Sequence, residues 1–515
     1  MHEHILKKGC IVGKNNIILI VTDQHRLDTL KYANPSTVVS TPVIDALSAE
    51  SVCFDQAYTS CPVCTPARSS LHSGYYPSAT GMCTNIYGAG STTHEIMDTP
   101  NLLSRRLAKQ GYRCGFTGKW HLGLGRDKAS SSEGRDLLAR MARGDMCAGA
   151  YLDYGTLPSD IGFTGDDFPG HGDGGWKTPQ FNKYLEDNGL TLTMEGVYGG
   201  KLPGQHSHGG VITSGIESTV EYYLVNRAIE ITTRISSGDS PFFFCLNFWG
   251  PHEPYNVPKE YFEKYRDMVI PPWKSFGGDG VVTPAHNMVR RPEMDWSFFE
   301  NNLRHYYAYI EHMDAQLGRF IDYLKSAGLY EDSTIIFTAD HGDSQGCHNG
   351  LENKSCHMYD EIMKIPLIVK PAGGTTQRLE HGFAGTTDIY ATILRLAGDQ
   401  GDTHSGIPLN HYWDHSPGKP RQDIVSEGTG AFPLVASQRM YRSGALKYVF
   451  NFGGTDELYN LEDDPYELCN LAPLSENQTL LKSQRESLAK RMKENFDPAY
   501  QFFCKYFAIL DYAVK

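Results

Sequence analysis

The segment CPVCTPARSSLHSG, residues 61–74, holds the side chains best suited to covalent chemistry in this sequence. Cys61 and Cys64 lie three residues apart, and Arg68 and a run of hydroxyl residues follow them. Two cysteines at this spacing can form a redox pair, can supply half of a metal site, or can be unrelated small residues. A redox pair would need a thioredoxin-like βαβ context. Spacing alone leaves open which cysteine acts and in what reaction.

Polar residues that could bind a divalent cation stand at the ends of two predicted strands. Asp23 and Gln24 follow the apolar run NNIILIVT, and Asp340 and His341 follow STIIFTA. Carboxylate and amide oxygens favour calcium or magnesium, while an imidazole leaves manganese or zinc open. The alternative is that each aspartate only caps the turn that follows its strand.

Four basic side chains lie just beyond predicted strand ends, where they could bind an anion. Lys119 and His121 are two residues apart in GKWHLG and share a side if that segment is extended. His252 follows PFFFCLNFW, and Lys354 lies in the loop after ADHGD. A single histidine or lysine in a loop is usually only solvated. Because all four of these side chains lie just beyond predicted strand ends, a common anion-binding site is favoured.

The elements that must position these residues alternate between strands and helices. Buried strands are predicted for NNIILIVTD, PFFFCLNFW, STIIFTADHGD and IPLIVK, and a long helix for WSFFENNLRHYYAYIEHMDAQLGRFIDYLKSAG. This alternation predicts an α/β fold with a large, mostly parallel central sheet and helices on both faces. Ligands gather at the carboxyl ends of strands in such sheets, where the polar residues above are found.

The texture of the sequence divides the chain into two predicted domains. Residues 1–404 form an N-terminal catalytic domain, and residues 405–515 form a smaller α+β subdomain with a short antiparallel sheet. Residues 126–215 are rich in Gly, Asp, Ser and Pro with weak periodicity. We therefore expect them to be an irregular insertion that shapes the substrate pocket.

The composition excludes several classes of protein. A net charge of −13 argues against a nucleic-acid binder, because neutralising phosphates requires a basic face. No segment approaches the ~20 apolar residues of a membrane span, so we expect no membrane partner. The N-terminus lacks the apolar run of a signal peptide, which predicts a cytoplasmic protein unless a signal was removed. The oligomeric state is left open.

Several motifs, in the same order, resemble the type I sulfatases of the alkaline-phosphatase-like superfamily. Residues 64–68, CTPAR, match the family signature C-x-P-x-R, and SSLHSG continues it. The resemblance extends through TDQ, GYRCGFTGKWHLG, FWGPHEPY, TADHGD, KSCHMYDEIMKIPLIV and ELYNLEDDPYELCNL, so it covers nearly the whole chain. The signature fits when it starts at Cys64. A start at Cys61 would put Val63 at the proline position and Thr65 at the arginine position, so the signature fails there. The resemblance implies an alkaline-phosphatase-like fold.

The resemblance also implies an activity, a cofactor and a partner. It indicates a sulfatase that hydrolyses sulfate monoesters, in which a maturation enzyme converts Cys64 to formylglycine. The hydrate of this aldehyde attacks sulfur and gives a covalent sulfo-enzyme. The implied ion is calcium, with manganese or magnesium as alternatives, and its implied ligands are Asp23, Gln24, Asp340, His341 and the modified residue 64.

The remaining site residues receive roles from the same resemblance. Arg68 and Lys119 would hold the hydrate, and His121 would take the proton whose loss expels sulfate. His252 and Lys354 would bind the sulfate and assist protonation of the leaving group. Asn85 is a weaker candidate for the same anion pocket.

Two departures from the family pattern keep other functions open. The first pair is Asp-Gln rather than the commoner Asp-Asp, and the second is Asp-His rather than Asp-Asn. One fewer carboxylate weakens the preference for calcium over manganese and leaves phosphonate monoester or phosphodiester hydrolysis as an alternative. A catalytically silent binding homologue is a second alternative. Tyr, Trp and Gly residues between 150 and 215, with His252, Glu253 and Tyr255, favour a sulfated carbohydrate as substrate, such as a glycosaminoglycan or mucin fragment.

Overall fold

The computed structural model describes residues 15–85, 93, 95–123, 156–168, 172–196, 209–277, 295–354, 357–414, 416–430 and 437–508. Its strands are β1 (Asn16–Thr22), β2 (Val52–Phe54), β3 (Ala57–Tyr58), β4 (Arg113–Gly118), β5 (Thr164–Gly165), β6 (Met194–Glu195), β7 (Gly209–Ile212), β8 (Phe242–Asn247), β9 (Tyr255–Pro258), β10 (Ser333–Ala339), β11 (Leu367–Lys370), β12 (Arg378–Glu380), β13 (Ala384–Gly385), β14 (Asp423–Gly428), β15 (Gln438–Ser443), β16 (Leu446–Asn451) and β17 (Glu457–Asn460). Its helices are α1 (Pro42–Ala49), α2 (Cys64–Ser73), α3 (Pro77–Thr80), α4 (Leu103–Lys109), α5 (Pro179–Asp187), α6 (Val220–Ser236), α7 (Lys259–Tyr265), α8 (Trp296–Ser326), α9 (Asp360–Met363), α10 (Thr386–Leu396), α11 (Gln478–Glu494) and α12 (Tyr500–Phe507).

An eight-stranded sheet forms the centre of the molecule, in the order β12-β2-β11-β10-β1-β8-β4-β5. β1 pairs in parallel with β10 on one side and with β8 on the other. β11 runs antiparallel to both of its neighbours, β10 and β2, so the sheet is mixed on that side. The predicted α/β fold with a mostly parallel sheet is confirmed.

β1 shows why the sheet needs helices on both faces. Ile17, Leu19 and Val21 pack on one face with residues of α2, α4 and α10. Ile18 and Ile20 point to the other face and pack with α1, α6 and α8. All five side chains are fully buried, and burying each contributes about 1.5–3 kcal/mol. A continuous apolar run, rather than an alternating one, is what a central parallel strand requires.

A second sheet lies near the C-terminus. β14, β15, β16 and β17 form a four-stranded antiparallel sheet in sequence order. Residues of this sheet share a hydrophobic cluster with α11 and α12. The predicted short antiparallel sheet is confirmed, while the boundary at residue 405 stays a prediction.

The predicted insertion at 126–215 contains regular elements. The structure describes its residues 156–168, 172–196 and 209–215, which include α5 and the short strands β5, β6 and β7. β5 extends the central sheet beside β4, and Phe181 of α5 is buried in the core. The rest of the insertion lies outside the described residues. Among the described helices, none combines the length and apolar character needed to cross a membrane.

Candidate active site

Two strand ends bring the predicted metal ligands together. Asp23 follows β1 and Asp340 follows β10, its parallel neighbour. The backbone N–H of Asp340 donates to the Thr22 carbonyl at 3.1 Å, and that of Asp23 donates to the Gly250 carbonyl at 3.0 Å. The bond of Asp340 continues the pairing of β1 with β10 by one residue, and the two bonds together fix the backbone that carries each carboxylate.

Cys64 is the first residue of α2 and is fully buried. Its Sγ lies 3.3 Å from Nε2 of His341 and 3.9 Å from Oδ1 of Asp23. The N-terminus of a helix favours a negative group, because its first backbone N–H groups are unpaired within the helix. Cys61 is buried as well but lies outside this group of ligand atoms.

A cation could be held where these side chains meet. Ligand atoms of Asp23, Cys64, Asp340 and His341 all lie within 4.8 Å of one another, and all four residues are buried. Nδ1 of His341 is 2.8 Å from the Gly342 carbonyl. A carbonyl only accepts, so Nδ1 carries the hydrogen and the lone pair of Nε2 faces the cluster. With the Cys64 sulfur standing where an oxygen of the modified residue would be, this donor set fits a divalent ion.

Arg68 and Lys119 neutralise the outer oxygens of the two carboxylates. Arg68 donates to Oδ2 of Asp340 at 2.9 Å and to Oδ2 of Asp23 at 3.1 Å. Lys119 Nζ also contacts Oδ2 of Asp23. Burial raises the pKa of Asp23, but the positive charges of Lys119, Arg68 and Lys354 outweigh that effect, and the pKa lies well below its usual value. Asp23 is therefore ionised at neutral pH.

The charges around position 64 favour an anion there. Burial and the Asp23 carboxylate raise the pKa of the Cys64 thiol, but Lys119, Lys354 and His341 outweigh them. The net result is a pKa below the ordinary value of a thiol. An anionic nucleophile at this position would be stabilised by the ammonium groups of Lys119 and Lys354.

Gln24 lies between the carboxylates and Lys354. Its backbone N–H donates to Oδ1 of Asp340 at 3.0 Å, and its amide oxygen accepts from Nζ of Lys354 at 2.6 Å. Burial opposes the charge of Lys354, but Cys64 and Asp23 outweigh it and raise the pKa of this lysine. Lys354 is thus a cation at the rim of the cluster.

The His252 ring is neutral in the site. Its Nδ1 lies 2.6 Å from the Glu253 carbonyl, so Nδ1 carries the hydrogen. Burial and the nearby Lys354 hold the pKa of His252 well below its usual value, although Asp23 opposes them.

Lys119, His121 and Asn85 surround the N-terminus of α2. The Lys119 backbone N–H donates to the Asn247 carbonyl at 3.0 Å. This close approach depends on Gly118, which has a φ of 97° and whose Cβ would stand 1.7 Å from that carbonyl oxygen. The His121 carbonyl accepts from the Thr65 hydroxyl at 2.8 Å. Oδ1 of Asn85 accepts from the Thr65 backbone N–H at 3.3 Å, so Asn85 supports the residue next to Cys64.

The sequence patterns did not point to two residues that the structure places at this site, Asn247 and Asp343. Asn247, at the end of β8, accepts from Arg68 at 3.1 Å, and its position at a strand end was the available signal. Asp343, inside the ADHGD motif, accepts from the Gln24 amide at 2.7 Å. The predicted role of Tyr255 in a carbohydrate platform is wrong, because this residue is 3% exposed and its hydroxyl donates to Asp343 at 3.1 Å.

Comparisons with known proteins identify the family through its sequence model and the fold through solved structures. The family model described as Sulfatase matches residues 15–399. An Escherichia coli protein named uncharacterized sulfatase YidJ is 25% identical over 506 residues, which cover 95% of this chain and 89% of that protein. The ulvan-active sulfatase of Formosa agariphila is 26% identical over 494 residues, which cover 93% of this chain and 81% of that protein. The crystal structure of phosphonate monoester hydrolase from Agrobacterium radiobacter superposes with a TM-score of 0.72 at 22% identity, covering 93% of this chain and 96% of that one.

Proposed function

The chain belongs to the sulfatase family of sulfuric ester hydrolases, and on this premise we propose that it removes sulfate from a carbohydrate. Family membership implies a formylglycine and a divalent metal. One observation carries the proposal for the site. The signature cysteine, Cys64, starts α2 inside the buried group formed with Asp23, Asp340 and His341.

The two groups implied by the family would supply chemistry that the ordinary side chains lack. A formylglycine hydrate at position 64 would provide an oxygen nucleophile, and a divalent ion, which we propose to be Ca2+, would polarise the sulfuryl oxygens. Asp23, Asp340 and His341 are the proposed ligands from the chain, and Gln24 is a further proposed ligand.

The other residues bind the anion and handle protons. Arg68 and Lys119 both contact Asp23, and their proposed role is to hold the reacting group at position 64. Lys354, which contacts Gln24, is the proposed partner of the substrate sulfate. His252 is neutral before the substrate binds, so it first accepts a proton or hydrogen bond at Nε2. An entering sulfate would raise the pKa of His252, and protonated His252 could then assist the leaving group. His121 is the proposed base for the second half of the reaction.

The carbohydrate substrate has support from a relative, the sulfatase whose name gives activity on ulvan. A second function, hydrolysis of phosphonate monoesters, has its own support. A solved phosphonate monoester hydrolase shares the fold, and the Asp-Gln and Asp-His pairs make this site less anionic than the commoner pattern.

The test combines mass spectrometry with a substrate panel. After co-expression with a formylglycine-generating enzyme, the peptide that contains position 64 should lose sulfur and gain oxygen. The protein should then hydrolyse sulfated sugars faster than aryl phosphonate monoesters when Ca2+ is present. Cys64→Ala should abolish both results, whereas Cys61→Ala, a buried cysteine outside the signature, should keep both. Full turnover by Cys64→Ala would contradict the mechanism, and a dominant phosphonate rate would replace the proposed substrate.

A further inference from the structure

The Gln24 side chain has two chemically different ends, and the site presents opposite partners to them. Its amide oxygen accepts from Nζ of Lys354 at 2.6 Å. Its amide nitrogen donates to Oδ2 of Asp343 at 2.7 Å. Turning the amide over would set its N–H2 against an ammonium and its oxygen against a carboxyl oxygen. Only one of the two orientations is therefore compatible with both neighbours.

Asp343 is itself held in place from several directions. Its Oδ2 also accepts from Nε2 of Gln345 at 2.7 Å and from the Tyr255 hydroxyl at 3.1 Å. Its backbone N–H donates to the Glu361 carbonyl at 3.1 Å, and its backbone carbonyl accepts from Arg26 at 2.8 Å. The side chain is fully buried. Asp343 thus presents a fixed acceptor to the Gln24 amide.

The backbone of Gln24 is fixed separately. Gln24 has a φ of 62°, and its carbonyl accepts from the Tyr306 hydroxyl at 2.7 Å. The same hydroxyl accepts from the Arg26 backbone N–H at 2.9 Å. These contacts set the position of the Gln24 backbone but say nothing about which end of its amide faces Lys354. That choice is left to the side-chain partners.

We propose that Asp343 is a positioning residue, which holds the Gln24 amide so that its oxygen faces Lys354, beside the cluster of Asp23, Cys64, Asp340 and His341. This role rests on the proposed function of that cluster. The need for a positioning residue arises because position 24 is an amide in this chain and not a carboxylate. A carboxylate at position 24 has two equivalent oxygens and needs no orienting partner, whereas an amide needs an acceptor behind its nitrogen.

The test asks whether Asp343 matters only when residue 24 is an amide. Asp343→Leu, which removes the acceptor, is compared in the wild-type and Gln24→Asp backgrounds. In the wild-type background we expect the affinities for Ca2+ and for inorganic sulfate to fall roughly 10–100-fold, the usual effect of losing a partner behind a metal ligand. In the Gln24→Asp background the same change should cost no more than about twofold, because a carboxylate at position 24 has no N–H that needs the Asp343 acceptor.

Calorimetry with Ca2+ or sulfate gives these affinities on the full chain with Cys64 unconverted. For the protein converted at position 64, kcat/KM on an aryl sulfate gives a second measure. The binding results therefore stand even if the chain hydrolyses no sulfate ester. A purely structural role for Asp343 predicts the same loss in both backgrounds, and that outcome would overturn the proposal.

Asp343→Asn is the second variant, in case the leucine disrupts folding. It keeps the shape of the side chain and one acceptor oxygen for the Gln24 amide. We expect its affinities to stay within about twofold of the wild type. A loss of the size expected for Asp343→Leu would show that the charge of Asp343, and not its acceptor, is what the site needs, and would also overturn the proposal.

Discussion

His72 lies one turn after Arg68 in α2, and its titration should make the fold sensitive to acid. Its ring sits among Trp120, Phe163 and Phe116, with ring centroids 5.1, 6.0 and 6.5 Å away. Nδ1 has no hydrogen-bond partner among the described residues. Burial, with a smaller effect of Arg68, lowers the pKa of His72 to about 3.

The sign and size of the effect follow from this pKa. A histidine in the unfolded chain titrates near pH 6.5. Below that pH His72 is therefore protonated in the unfolded state but still neutral in the folded state. The stabilising contribution is present above pH 6.5 and is lost as the pH falls. For this single site, the free energy of unfolding should decrease by about 2 kcal/mol between pH 7.5 and pH 5.

His72→Phe keeps an aromatic ring in the aromatic surroundings and removes the titration. The free energy of unfolding is measured in denaturant at pH 7.5 and at pH 5, with EDTA present. We expect the loss between these two pH values to be about 2 kcal/mol smaller in His72→Phe than in the wild type. His381→Gln is the control, because the His381 side chain is 72% exposed and its contact with Asp55 at 2.7 Å is a surface pair that contributes little to stability. It should lose as much stability in acid as the wild type. An equal acid-dependent loss for His72→Phe and wild type would refute the argument.

Two further variants test how the site is held together. Arg68→Gln leaves the buried Asp23 and Asp340 without their shared guanidinium, so the ion-free protein should be destabilised by about 3–5 kcal/mol, and Ca2+ should restore part of the loss in thermal unfolding. No change in stability would show that Arg68 does not compensate these charges. Asn353→Gly removes the 2.6 Å hydrogen bond to Glu253 without straining a residue whose φ is 64°, and because this bond ties the loop of His252 to that of Lys354, sulfate affinity should fall by about 1–2 kcal/mol in calorimetry. Unchanged affinity would mean that the two loops hold their positions without it.

The sequence was sufficient where a local pattern coincides with the final position. The apolar run before Asp23 predicts a central strand, and the parallel pairing of β1 with β10 then brings Asp23 and Asp340 together. The choice of Cys64 over Cys61 follows from the signature, and the structure places Cys64 among the ligand atoms. The long helix predicted from residue 296 is observed as Trp296–Ser326.

Other features depend on contacts that no local pattern encodes. IPLIVK reads as a buried strand in either direction, so the antiparallel pairing of β11 could not be predicted. Tyr255 has the composition of a sugar-binding aromatic residue, but a hydrogen bond to a residue 88 positions away keeps it inside. Asp343 lies two residues after His341 in the ADHGD motif. The predicted ligands Asp340 and His341 already account for that motif, so nothing in the sequence indicates a separate role for Asp343. Side chains that act through other side chains leave little trace in sequence spacing.

The pairing order of the central sheet also bears on how the protein is made. β1 is synthesised early, but its two neighbours, β8 and β10, begin only at Phe242 and Ser333. At a synthesis rate of about 5–20 residues per second, the apolar run of β1 waits roughly 10–50 s for its first partner. The segment with Cys64 is synthesised within that interval, while the cluster that later buries its thiol does not yet exist. Conversion of Cys64, as proposed above, would fit this period, which ends when β10 joins the sheet and Asp340 and His341 complete the cluster.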